Sequence, residues 1–82
     1  MDKDEVEKIL INGTEYDYLL FKDYMDSGIR HLTIVIVGEF KDNKNDLLIY
    51  HKNESISGKK ILPHYQEMTN STKFSVFVNG GI

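Results

Sequence analysis

The stretch that most constrains what this chain can fold into is Leu32-Thr33-Ile34-Val35-Ile36-Val37-Gly38-Glu39-Phe40. β-Branched residues hold most of its positions, and apolar side chains occupy both alternating faces. Such residues lose χ1 freedom in a helix and pack well on a pleated surface, so the run predicts a strand. Because both of its faces are apolar, it is expected to be central in its sheet.

A chain of 82 residues makes one domain, 1–82, with a modest core, because at this size only roughly 60–65% of the unfolded surface is buried. Cysteine is absent, which excludes disulfides, thiolate catalysis, cysteine-ligated zinc and iron–sulfur clusters. Met1–Glu5 is acidic and leads only into the short apolar run Ile9-Leu10-Ile11, unlike a secretory signal. No apolar run approaches the roughly 20 residues of a membrane span. A cytoplasmic location is therefore expected, and the Asn-x-Ser/Thr triplets at Asn12, Asn53 and Asn70 carry no glycosylation meaning. Alanine is missing, Arg and Pro occur once each, and Lys, Asn, Ile, Asp and Tyr are heavily used. That usage follows A/T-rich codons and points to a bacterial, phage or plasmid genome.

Charge is unevenly spread. Residues 1–26 hold eight acids against three lysines, whereas residues 27–82 hold five acids against seven basic residues. Such an acidic front bears on partners and not on fold.

Along the chain, Lys8-Ile9-Leu10-Ile11 followed by Asn12-Gly13 and Thr14-Glu15-Tyr16 predicts a hairpin, because Asn-Gly supplies the positive φ angles of a type I′ turn. Asp2 and Glu5 have the spacing of a helix cap, which leaves a short helical lead-in open. From Asp17 to Ser27, Leu20, Phe21, Tyr24 and Met25 fall at helical spacing, with Gly28 placed as a C′ cap. This predicts the main helix. After the turn formers Asp42–Asp46, Leu47–His51 is expected to return antiparallel beside the central strand. Asn53–Lys60 reads as a loop, Ile61–Met68 as one or two helical turns with Pro63 near the start, and Thr72–Val78 as a closing strand. The expected class is α+β: a small, mostly antiparallel sheet of four to five strands with one main helix, in the order β-β-α-β-β-(short α)-β.

That order, ending in Val78-Asn79-Gly80-Gly81, resembles a β-grasp arrangement with a ubiquitin-like or sulfur-carrier tail. The resemblance implies adenylation of a terminal glycine carboxylate, yet the chain ends in Ile82, which would first have to be removed.

No catalytic motif stands out. His31, His51 and His64 are the only imidazoles. A metal site with Glu39 lacks HxH or HExxH spacing, so solvent-exposed structural histidines are the simpler reading. The thirteen acids read as solvated faces, and there is no GxSxG, Walker loop or GxGxxG. Lys52, Lys59, Lys60 and Lys73, with Tyr50 and Tyr65, are the candidates for a nucleic-acid stripe, but the net charge is −3 and direct nucleic-acid binding is not expected. The chain is expected to be non-enzymatic and to need no cofactor or metal.

Two-sidedness of the sheet is the more informative feature. If Leu32, Ile34, Ile36 and Phe40 face the helix with Phe74, Val76 and Val78, then Val35, Val37 and Phe77 face the other way, with Leu47 and Ile49 as possible companions. Such a face needs either a covering element, the N-terminal segment or Ile61–Met68, or a partner. Tyr16, Tyr18 and Tyr24, interleaved with acids, are either rim of the core or an acidic-aromatic binding face. The expected function is a non-enzymatic protein-binding module. Small anti-defence proteins of phages and mobile elements, anti-CRISPRs among them, are similar in these general features. Such an inhibitor would act on a larger host protein, with a nucleic-acid-processing enzyme as one possible target. Its expected partner-binding residues are Val35, Val37, Phe77, Tyr16, Asp17, Asp23 and Asp26. The alternatives are a self-assembling protein or homodimer in which Val35, Val37 and Phe77 meet the same face of another copy, and the ubiquitin-like carrier.

Overall fold

The computed structural model describes residues 6–51 and 53–79. Eight strands run through them: β1 (Val6–Ile11), β2 (Thr14–Tyr16), β3 (Leu20–Asp26), β4 (Ile29–Val37), β5 (Asn45–His51), β6 (Glu54–Ile61), β7 (His64–Gln66) and β8 (Ser71–Asn79). They form two four-stranded sheets, β2-β1-β5-β6 and β3-β4-β8-β7, with every pairing antiparallel. Each sheet consists of two hairpins whose inner strands pair with one another.

The expected α+β class is overturned, because no helix occurs among the described residues. The β-grasp resemblance falls with it, since that arrangement requires a helix on the sheet. The predicted helix over 17–27 is β3 and a two-residue turn, in which Ser27 and Gly28 adopt φ 55° and 81°, so Gly28 turns a hairpin instead of capping a helix. Its apolar spacing misleads because Leu20 and Tyr24 point outward while Asp23 points inward. Leu47–His51 does not return beside β4; it crosses to the other sheet and pairs with β1 and β6. The expected loop 53–60 belongs mostly to β6, and the expected helical turns after Ile61 are the link to β7, β7 itself and a turn. The Asn12-Gly13 hairpin forms as expected, with φ 52° and 86° and Ile9 opposite Tyr16. Residues 2–5 of the helical lead-in lie outside the described residues.

Between the sheets, Val6, Ile9, Ile11, Leu47, Ile49 and Ile56 meet Leu32, Ile34, Ile36, Phe74 and Val76, all buried in one cluster. Period-two alternation produces this, since even-numbered residues of β4 and β8 point inward together. Leu47 and Ile49 therefore lie in the core and not with Val35 and Val37. Gly58 lets β6 approach β8 closely, for a Cβ there would sit 3.1 Å from both γ-methyls of Val76. At one end, Phe40 closes the core against Tyr16 and Phe74, with ring centroids 5.1 and 5.2 Å away. There the buried Asn45 donates to the carbonyl of Asp42 at 2.9 Å and accepts from Asn12 Nδ2 at 2.9 Å, so its amide is satisfied.

Candidate binding face

The outer face of the β3-β4-β8-β7 sheet follows from its register. Leu20, Val35, Lys73 and His64 form one cross-strand row; Lys22, Thr33 and Ser75 the next; Tyr24, His31 and Phe77 the third; Asp26 and Ile29 the fourth. In the third row, Tyr24 and His31 stack at 4.9 Å with rings 7° apart, and His31 meets Phe77 edge-on at 4.8 Å. Cross-strand aromatic pairs of this kind each contribute about 0.5–1 kcal/mol. The row is nonetheless open to solvent, with Tyr24 50% and Phe77 63% exposed. Leu20, Ile29 and Val37 extend the apolar surface around it. Beside Phe77, a groove of about 260 Å³ runs between β8 and the segment Lys60–Leu62, lined also by His64 and Ser75.

The expected binding residues divide. Val35, Val37 and Phe77 share this face, as the alternation predicted, and Asp26 lies on its rim. Asp17 is exposed in the link between β2 and β3. Tyr16 is half-buried on the edge of the core, against Phe40. Neither expected cover folds over the face among the described residues: β7 extends the sheet instead. The residues that sequence reasoning left out are Leu20, Ile29 and His31, and a Ser27-Gly28 hairpin would have found them, because it gives them the same parity as Val35.

Asp23 points inward, into a polar cluster that joins the sheets. Arg30 donates to it twice, Nε to Oδ1 at 2.9 Å and Nη2 to Oδ2 at 2.8 Å, the fork geometry that makes such pairs strong. The same guanidinium reaches Glu54 of the other sheet at 3.1 and 3.3 Å. His51 Nε2 lies 3.1 Å from Asp23 Oδ2, and that ring, 2% exposed, packs edge-on against Phe21 at 4.9 Å. Arg30 holds the Asp23 carboxyl below the usual carboxylate range despite its partial burial, and Asp23 and Glu54 together raise Arg30. An ionised Asp23 can only accept, so Nε2 of His51 carries the proton. Its Nδ1 is buried without a hydrogen-bond partner among the described residues. The cluster clamps β3 and β4 to β5 and β6.

The expectation of solvent-exposed histidines fails at His51, which is buried between the sheets, whereas His31 and His64 both lie on the open face, two rows apart. Among the described residues no group of three or more His, Asp or Glu side chains is arranged to hold a metal ion, and no helix is long and apolar enough to cross a membrane. Comparison with protein-family models, curated proteins and solved structures gives no match.

Proposed function

We propose that this chain is a non-enzymatic protein-binding module that docks the outer face of the β3-β4-β8-β7 sheet against a larger protein. The observation that carries this reading is the distribution of exposed apolar side chains. Of the large exposed ones, Leu20, Tyr24, Ile29, Val37 and Phe77 share that outer face by register, Met25 and Tyr65 belong to the same sheet with the opposite parity, and Leu19, Leu62 and Met68 lie in connecting segments. A contiguous apolar patch on one face of a small domain marks an interaction surface, and a central aromatic row is the usual composition of an interface core. The groove beside Phe77 would receive an apolar anchor from the partner.

The biological role we propose is inhibition of a larger host protein, encoded by a phage or mobile element and acting in the bacterial cytoplasm. An amino-acid usage weighted to residues with A/T-rich codons and the acidic N-terminal half support that role. Asp17 and Asp26 supply its electrostatic part, while Asp23 is engaged by Arg30 and His51. If the target is a nucleic-acid-processing enzyme, Asp17 and Asp26 stand where phosphates would otherwise bind, and salt should weaken the complex.

The test is capture from a bacterial lysate at low and high salt, read by mass spectrometry, with Phe77→Asp and Ser57→Asp compared. Ser57 is exposed on the other sheet. The proposal expects one stoichiometric partner, kept by Ser57→Asp and lost by Phe77→Asp. A partner retained by a folded Phe77→Asp variant, or none captured at all, would overturn it.

A further inference from the structure

We infer that two copies of this chain associate through β3, edge to edge about a twofold axis, to make one continuous eight-stranded sheet. The inference is independent of whether the open face binds another protein.

A sheet edge invites pairing with another strand unless it is short, bulged, charged or broken by proline. Three of the four edges here are blunted in those ways. β2 and β7 have three residues each. β6 carries Lys59 and Lys60, a register shift in its pairing with β5, and a positive φ of 56° at Lys60. β3 differs in length and regularity: its seven residues pair with β4 without a shift, contain no proline, and have no strand on their other side among the described residues. Its charges, Lys22, Asp23 and Asp26, protect the edge except against a strand that sets opposite charges beside them.

Its sequence is self-complementary in one register. In an antiparallel twofold pair, residues directly opposite share a face, so the candidates differ by which residue sits on the axis. With Lys22 on the axis, two lysines oppose each other. With Asp23 there, two aspartates do. With Tyr24 on the axis, Lys22 of each copy lies opposite Asp26 of the other, and the two tyrosines meet between them. Among the described residues, neither Lys22 nor Asp26 has an ion-pair partner within the chain; Asp26 receives only Ser27 Oγ at 3.4 Å. Their cross-strand neighbours on β4 are Thr33 and Ile29. Two charges without partners at home satisfy each other across the axis.

The second copy also completes the face. Its Tyr24 would stand next to the first, so the row Phe77–His31–Tyr24 continues as Tyr24–His31–Phe77 of the other copy. Both outer faces then lie on the same side, and the aromatic strip doubles in length.

The experiment is the solution mass of purified chain across a wide concentration range. A dimer has twice the 9.5 kDa of the monomer. Lys22→Asp and Asp26→Lys, each exposed and each checked for folding by circular dichroism, should give monomers at concentrations where the native chain is dimeric. The double swap should restore the dimer. A second reading uses the absence of cysteine: Tyr24→Cys should oxidise to a covalent dimer, because directly opposed Cα atoms lie about 4.5–5.5 Å apart, within the roughly 4.4–6.8 Å that a disulfide spans, while Ser57→Cys should not. A monomer at every concentration, a dimer untouched by the single swaps, or a double swap that fails to restore association would each overturn the inference.

Discussion

The outer faces of the two sheets differ both in how many apolar residues they carry and in how they treat them. On the β2-β1-β5-β6 sheet, Leu10, Leu48 and Tyr50 are half-buried, and their cross-strand neighbours are Glu15, Ser57, Ser55 and Lys8. The Lys8 ammonium lies 5.2 Å from the Tyr50 ring centroid, so its aliphatic stem and charge cover the aromatic face. On the β3-β4-β8-β7 sheet, Lys22, Thr33 and Ser75 flank the aromatic row, yet it remains half or more exposed at Tyr24 and Phe77. Solubility alone would favour the first arrangement on both sides. What the difference teaches is that exposure on the second face is a property of that sheet and not of the chain's composition.

The largest effect that sharpens this contrast lies within one strand. Phe74 is fully buried and Phe77 is 63% exposed, three residues apart on β8 and on opposite faces. Phe74→Ala should cost about 3–5 kcal/mol by urea unfolding, whereas Phe77→Ala should cost no more than about 1 kcal/mol, the worth of its cross-strand pair with His31. Comparable losses at both positions would mean that the outer face is already covered, and the contrast would fail.

Next in size is the clamp between the sheets. Arg30→Ala leaves Asp23 and Glu54 without their cation, and because both Arg30 and Asp23 are mostly buried the loss should be about 2–3 kcal/mol. A pH titration separates the carboxylate's share. Its pKa is lower in the folded chain than the unfolded value of about 3.9, so its stabilisation is fully present above that value. It disappears as pH falls through the lowered folded value. The part of the gap in unfolding free energy between the native chain and Asp23→Asn that the carboxylate supplies should therefore close as pH falls through the lowered folded value. A gap that stays fully open in strong acid would contradict the assignment of Asp23 as Arg30's ionised partner.

Some of this was legible in the residues. Alternation along Leu32–Val37 and Phe74–Val78 assigned inward and outward sides correctly, because each strand has a core face and the period of two leaves no other choice. Asn12-Gly13 announced its hairpin for the same local reason. The second sheet was hidden. β6 shows only Ile56, Gly58 and the terminal Ile61 to the core, so most of its pattern looks polar, and nothing in Leu47–His51 says that the chain crosses to another layer instead of pairing with its predecessor. β3 was hidden by Asp23, an inward charge that is tolerated because Arg30 and His51 stand opposite it. The clamp itself had one faint signal, the chain's single arginine placed beside a Ser27-Gly28 turn. On the candidate face, Val35, Val37 and Phe77 were legible, and Leu20, Ile29 and His31 were lost with the hairpin that carries them.

The measurement that tests the central claim most directly is hydroxyl-radical footprinting of the chain alone and in complex with the protein it captures. In the chain alone, Tyr24 and Phe77 should react rapidly and Phe74 slowly. In the complex, reactivity of Tyr24 and Phe77 should fall several-fold while that of Tyr50, on the other sheet, is unchanged. Protection of Phe77 in the isolated chain, or an unchanged Phe77 in the complex, would contradict the assignment of this face to partner binding.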